Sequence, residues 1–258
     1  MPAVAAWLDS RPALLSLRRA LAPAAGPVLS CRSSKGLLQL YDHCMLDAVV
    51  VGFRGLEAVD LPALRTRYPE IPTVVYAALR PDHGAMIADL LETGRITGVM
   101  VEGVDDPVAG DLVRRHAVSR AREAALADAP RLLRLSEPIQ RRAWAHLVRV
   151  AGGPIRAAEV AAHLRVSREH LSRQFGAGGA PNLKRVIDLL RVVCAAQLLA
   201  NPGYDTVAAA RVLRFGSPRH LTIMARRIAG ARPSDLPGLG PGGVLAGFLR
   251  GGTRSRIR

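Results

Sequence analysis

A chain of 258 residues, 49% hydrophobic and only 4% aromatic, is long enough for two domains of ordinary size and too apolar for a disordered polyelectrolyte. Its net charge of +15 is unevenly placed: residues 1–130 carry 14 Lys+Arg against 15 Asp+Glu, a balance of −1, whereas residues 131–258 carry 22 against 6, a balance of +16. No stretch approaches the roughly 20 apolar residues of a transmembrane helix, and the start lacks the positive-apolar-cleavage order of a signal peptide, so a cytoplasmic protein with no membrane partner is expected.

In the first half, the short β-rich runs Pro27–Ser30, Ala48–Gly52, Thr73–Ala77 and Gly98–Val101 predict strands buried on both faces. Leu61–Tyr68 and Asp82–Glu92 predict helices between them. This alternation describes a small α/β domain with a mainly parallel sheet over residues 1–112. The stretch Leu64-Arg-Thr-Arg-Tyr-Pro-Glu-Ile-Pro-Thr-Val-Val-Tyr-Ala-Ala resembles the helix-to-strand passage of response-regulator receiver domains. That resemblance implies an aspartate ending the central strand, acids near the end of the first strand, and a lysine after a late strand. Here Ala48-Val-Val-Val runs into Gly52-Phe53, the strand read as the first leads into Ser30-Cys31-Arg32, and the late strand ends Val101-Glu102-Gly103. Asp47 precedes its strand and reads as an ordinary strand-edge acid. The expectation is a pseudo-receiver that cannot be phosphorylated and serves homodimerisation or contact with another protein, RNA polymerase being one candidate; a small-ligand sensor stays open, with no pocket to name from sequence. Arg114–Ala127 reads as a polar connecting helix ended by Pro130, within a linker spanning 113–135.

From Glu137 onward the strand signals vanish, and short amphipathic helices separated by Gly, Pro and Ser predict an all-α segment over 136–237. A degenerate repeat runs through it. Glu159-Val-Ala-Ala-His-Leu-Arg-Val-Ser-Arg-Glu-His-Leu-Ser-Arg resembles Ala208-Ala-Ala-Arg-Val-Leu-Arg-Phe-Gly-Ser-Pro-Arg-His-Leu-Thr, with Leu164 and Leu213 offset by 49 and Leu171 and Leu221 by 50. In each copy a short Ala-rich helix ends in a tight turn and a capped helix follows. Ser167 is the expected cap of the first, and Ser217 followed by Pro218 that of the second. Val160, Leu164, Val166, Leu171 and Phe175 close over a small core, and Ala161 and Ala210 allow the helices a near approach. This is the arrangement of a helix-turn-helix unit, which leaves one face of the second helix free for a major groove. Between the copies, Asn182 caps a helix of roughly 18 residues, about 27 Å long, stopped by Asn201-Pro202-Gly203. Recognition helices at its two ends could sit about one DNA turn, roughly 34 Å, apart. Residues 238–258, opening with Pro237-Gly238-Leu239-Gly240-Pro241-Gly242-Gly243, predict a flexible basic tail.

These residues resemble the C-terminal DNA-binding domain of AraC/XylS-type transcription regulators over about 100 residues, from Glu137 to Leu236. The carrying segments are Val166-Ser-Arg-Glu-His-Leu-Ser-Arg-Gln-Phe, Phe215-Gly-Ser-Pro-Arg-His-Leu and Ala231-Arg-Pro-Ser-Asp-Leu. The resemblance implies seven helices, two recognition helices and control of transcription on double-stranded DNA. By position it places Glu169, Ser172 and Arg173 at bases in the first unit, and Arg219, His220 and Thr222 in the second. Ser167, Arg168, His170, Ser217, Arg226 and Arg227 complete the expected DNA-binding set; Arg226 and Arg227, like Arg141 and Arg142, are read either as phosphate contacts or as a plain solvated face. Three departures stand out. Arg165 and Arg214 occupy turn positions where the family has glycine, so each must accept a positive φ or reshape the turn. Ile223 stands where the second recognition helix often has arginine.

No phosphate-cradling glycine loop, HExxH or Gly-x-Ser-x-Gly pattern is present, so no catalysis and no cofactor are expected. Cys31, Cys44 and Cys194 form no metal-ligand or disulfide pattern and read as small buried hydrophobes with reduced thiols. The rival reading is a nucleic-acid or nucleoid-binding protein driven by charge alone.

Overall fold

The computed structural model describes residues 2–22 and 26–254, and the chain forms two compact units. The first runs to Ala121 and takes in Asn201–Gly203; the second comprises Arg122–Ala200 and residues 204–254.

In the first unit, chain order is β1 (Ala3–Trp7), α1 (Arg11–Leu21), β2 (Val28–Ser30), α2 (Ser34–His43), β3 (Leu46–Val51), α3 (Phe53–Ala58), α4 (Leu61–Arg67), β4 (Thr73–Ala77), α5 (Gly84–Glu92), β5 (Gly98–Val101) and α6 (Ala109–His116). The five strands pair in parallel in the order β2-β1-β3-β4-β5. Connections leave β1 toward β2 on one side and return to β3 on the other, so the winding reverses at β1. Every residue of β1, β3 and β4 is buried, as strands covered on both faces require. Val4, Ala6, Val50, Val74, Tyr76 and Met100 of the sheet pack with Leu17 and Leu21 of α1 and Val113 of α6.

The parallel α/β expectation therefore holds, with three corrections inside it: β2 and β5, the edge strands, are largely half-exposed rather than buried on both faces, and two more follow. The first strand is Ala3-Val-Ala-Ala-Trp, absent from the sequence reading because four of its five residues are not β-branched. Its extended form comes from pairing on both edges, not from propensity. Consequently the loop after the first strand is Leu8-Asp9-Ser10, and an acid does stand there, whereas Ser30-Cys31-Arg32 follows the second strand. Asp47 is also not a strand-edge acid. It lies within β3, only 6% exposed, where its carboxylate accepts from the Ser119 N–H (2.7 Å) and hydroxyl (2.6 Å). A buried carboxylate needs such donors, and Asp47 thereby pins the start of α7 (Val118–Ala125). The expected helix 114–127 is broken at Ala117, whose ψ of 143° is extended. Pro130 does not end a helix; it occupies the first turn of the short α8 (Ala129–Leu132), where a missing N–H costs nothing.

The second unit is helical: α9 (Pro138–Val150), α10 (Ala157–His163), α11 (Arg168–Phe175), α12 (Leu183–Leu199), α13 (Thr206–Val212), α14 (Pro218–Ala229) and α15 (Leu236–Arg254). Twelve of the 17 residues of α12 are buried, so it is the axle of the unit rather than an amphipathic surface helix. Arg122, wholly buried, donates through Nε to the Val148 carbonyl (3.0 Å) and through Nη1 to Gln197 Oε1 (2.9 Å).

α15 replaces the flexible tail expected from residue 238; residues 255–258 of that expectation lie outside the described residues. The helix kinks at Gly240 (φ 58°, ψ −174°) ahead of Pro241, then buries Val244, Leu245 and Phe248 while packing on α12 and α14. One of its glycines, Gly247, serves a close contact. A Cβ on Gly247 would lie 2.3 Å from the Ala229 carbonyl oxygen, so only hydrogen lets α15 lie against α14. Gly247→Ala is expected to destabilise the protein by about 1–3 kcal/mol, read as a lower urea midpoint at unchanged slope.

Candidate nucleic-acid interface

The helix pairs α10–α11 and α13–α14 are built by one device. Each first helix ends on a Leu-Arg-apolar stop. In the first, Arg165 N donates to the Ala162 carbonyl (3.1 Å) and Val166 N to the Ala161 carbonyl (3.0 Å). In the second, Arg214 N donates to Arg211 O (3.0 Å) and Phe215 N to Ala210 O (2.8 Å). These are the paired closing bonds of a Schellman stop, which needs a left-handed residue. Arg165 (φ 57°) and Arg214 (φ 52°) supply it, so both arginines take the strained conformation and the turn keeps its shape. The same stop closes α8: Arg134 has φ 56°, and Leu135 N donates to Pro130 O at 2.8 Å.

Two or three residues later the second helix of each pair is capped. Ser167 Oγ accepts from His170 N and Ser217 Oγ from His220 N, both at 3.1 Å. An accepting hydroxyl keeps its own proton, so both serines still have a donor to offer outward. Val160, Leu164, Leu171 and Phe175 are buried as expected, and Val166 is half-buried. Ala161 and Ala210, each 2% exposed, sit inside their helix pairs.

The outward faces are cationic. α11 buries Leu171 and Phe175 and exposes Arg168, Glu169, Ser172 and Arg173, with His170 half-buried. α14 buries Leu221, Met224, Ala225 and Ile228 and exposes Arg219, His220 and Arg226. His220 meets the Phe215 ring edge-on, centroids 5.5 Å apart. Two expected residues are committed elsewhere. Arg227 Nη2 pairs with Asp188 Oδ2 at 2.6 Å, tying α14 to α12. Thr222, half-buried, donates its hydroxyl to the Pro218 carbonyl of its own helix at 3.2 Å.

Sequence reasoning missed a cleft of about 650 Å³ where the two pairs meet. Arg168, Lys184, Arg191 and Arg214 line it, with Ser172 beside them. Its one acid, Asp188, is already held by Arg227. The Arg191 guanidinium lies 4.0 Å over the Phe215 ring, donates to the Arg214 carbonyl (3.3 Å), and leaves a buried Nε without a partner among the described residues. Burial lowers its pKa from the ordinary arginine value. Ile223, 53% exposed, adds an apolar point to the α14 face. Nothing in helical periodicity singles out Arg191, because α12 is buried nearly all round.

Between α9 and the end of α10, the His146 and His163 rings stack with centroids 3.7 Å apart and planes inclined by 17°. Burial, then the neighbouring His163 and Arg149, hold the His146 pKa down to about 4. Among the described residues, no group of His, Cys, Asp and Glu has a metal-holding arrangement, and no helix is long and apolar enough to cross a membrane. Cys194 is buried, and Cys31 and Cys44 are half-buried free thiols. No family model matches the chain, and no curated protein matches it in sequence.

Replacing either strained arginine by glycine relieves a left-handed Cβ. Arg165→Gly and Arg214→Gly are each expected to raise unfolding stability by about 1 kcal/mol, measured by urea denaturation. The depressed His146 pKa gives a pH dependence of definite sign. Its neutral ring favours the folded state fully above the ordinary value of 6.5, and this contribution is lost as pH falls from 6.5 toward about 4. His146→Phe, which keeps a ring on His163, is expected to flatten the fall in Tm across that window relative to the parent.

Proposed function

We propose that the chain is a sequence-specific DNA-binding transcription regulator of AraC/XylS type. In this reading α10–α11 and α13–α14 are two helix-turn-helix units, and α11 and α14 are recognition helices entering successive major-groove segments. The observation that carries the reading is the duplicated device itself: the same Schellman stop, the same serine cap and a cationic outward face occur twice in a segment of charge +16. Charge alone would favour a polyanion of any kind; a repeated rigid turn that aims two exposed helices favours reading a duplex in register.

Arg168, Glu169, Ser172 and Arg173 are assigned to the first half-site, and Arg219, His220 and Arg226 to the second. Ser167 and Ser217 donate to phosphates at the helix starts. Ile223 replaces a hydrogen-bonding contact by an apolar one suited to a thymine methyl group. Lys184, Arg191 and Arg214 hold backbone phosphates between the half-sites. Arg227 is left as an internal tie.

The first unit serves as a pseudo-receiver for dimerisation or for contact with another protein, RNA polymerase among the candidates. Its strand order, β2-β1-β3-β4-β5, is one that receiver domains share. Its chemistry is not theirs. The end of β3 carries Gly52, on which any Cβ would lie 2.6 Å from Asp9 Oδ2, and Glu102 follows β5.

The test is selection from a random duplex pool by the full chain at about 0.15 M salt with competitor DNA. Two short motifs about one turn apart are expected, at a specific-to-non-specific ratio of about 10³ or more. Enrichment of neither motif would overturn the reading in favour of the charge-driven binder. On the selected site, Arg173→Ala is expected to weaken binding by roughly 1–3 kcal/mol while sparing non-specific DNA. Equal losses on both would reassign Arg173 to phosphates.

A further inference from the structure

The first unit carries a site that owes nothing to DNA binding. Where the winding of the sheet reverses, the loops after β1 and β2 and the start of α3 leave a cavity of about 380 Å³ at the carboxyl ends of the strands. Open parallel sheets take ligands in that crevice, because the diverging connections leave it unfilled. The volume falls in the range of small-molecule sites.

Its lining has two halves. Arg11, Arg32 and Arg54 contribute three exposed guanidiniums, none within ion-pair distance of a carboxylate among the described residues. Trp7, Leu8 and Leu14 form the apolar half.

The acids nearby are already engaged. Asp9, the one carboxylate in the lining, accepts from the Arg54 backbone N–H at 3.2 Å and fills the space above Gly52. Glu102 accepts a 2.5 Å hydrogen bond from Ser10, whose oxygen caps α1 through Ala13 N. Cys31, also in the lining, has its thiol pKa pushed up by burial, so it stays neutral at pH 7 and adds no negative charge.

Three arginines against one aspartate leave a local excess of positive charge in a half of the chain whose overall balance is −1. A cation cluster in a near-neutral domain is matched to a compact anion, not to a polyanion, whose capture needs an extended field. Guanidinium forks suit phosphate oxygens, and the apolar wall suits an organic remainder.

We propose that this cavity binds a small organic phosphate, with the phosphate on Arg11, Arg32 and Arg54 and the organic part against Trp7, Leu8 and Leu14. The site would give the first unit a reversible ligand in place of a covalent phosphoryl group.

The chain has two tryptophans, Trp7 in the cavity wall and Trp144 in α9, so Trp144→Phe makes Trp7 the only indole reporter. The full-length Trp144→Phe protein is titrated with AMP and, separately, with inorganic phosphate. A saturable change in Trp7 emission is expected, with AMP binding at least tenfold tighter than inorganic phosphate. Adding Arg32→Gln and Arg54→Gln, both at exposed positions, is expected to weaken AMP binding at least tenfold at unchanged Tm. No saturable change up to 10 mM AMP, equal affinity for AMP and inorganic phosphate, or a response that survives the double substitution would each overturn the proposal. None of these results depends on DNA, so their failure is separable from failure of the regulator reading.

Discussion

The left-handed arginine is the constraint on which the second unit turns. At Arg134, Arg165 and Arg214 a helix is closed by bonds that cannot form unless one residue takes a positive φ. Once it does, the next residue has no freedom of direction. Leu135 and Phe215 are driven into the interior, and Val166 is half-buried. The following helix then starts at a fixed angle, with its cap in place. Glycine would close the same turn with less strain. Arginine closes it while carrying a cation to the vertex, and at Arg214 that cation enters the cleft between the two helix pairs.

Phe215 shows how one such stop organises its surroundings. Its N–H closes α13, its ring is covered by the Arg191 guanidinium, and its edge is met by His220 at the start of α14. Three elements are thereby referred to one side chain. The Arg227–Asp188 pair adds a second tie between α14 and α12, and α15 packs on both helices, meeting α14 at Gly247. The cationic face is thus mounted on a packed interior.

Local chemistry made much of this legible in the sequence. Ser167, Ser217 and Asn182 cap the helices they were expected to cap, because capping depends on a few neighbouring residues. The strained arginines were visible as departures from a glycine pattern. What stayed hidden depended on partners remote in sequence. The strand Ala3–Trp7 is extended because β2 and β3 flank it, and Arg191 lines a cationic cleft only because Arg168 and Arg214 are folded beside it. The third stop, at Arg134, was masked by a helix only four residues long with a proline in its first turn. The glycine-rich stretch after Leu236 looked like disorder because the absence of a side chain serves a loose chain as well as the tight crossing that Gly247 makes with α14.

The seating of Asp9 over Gly52 ties two strand ends together. A side chain at position 52 would meet that carboxylate, and turning Asp9 aside to admit it would give up the bond from the Arg54 N–H. The loop after β1 and the start of α3 are therefore coupled: what position 52 can hold depends on where Asp9 stands.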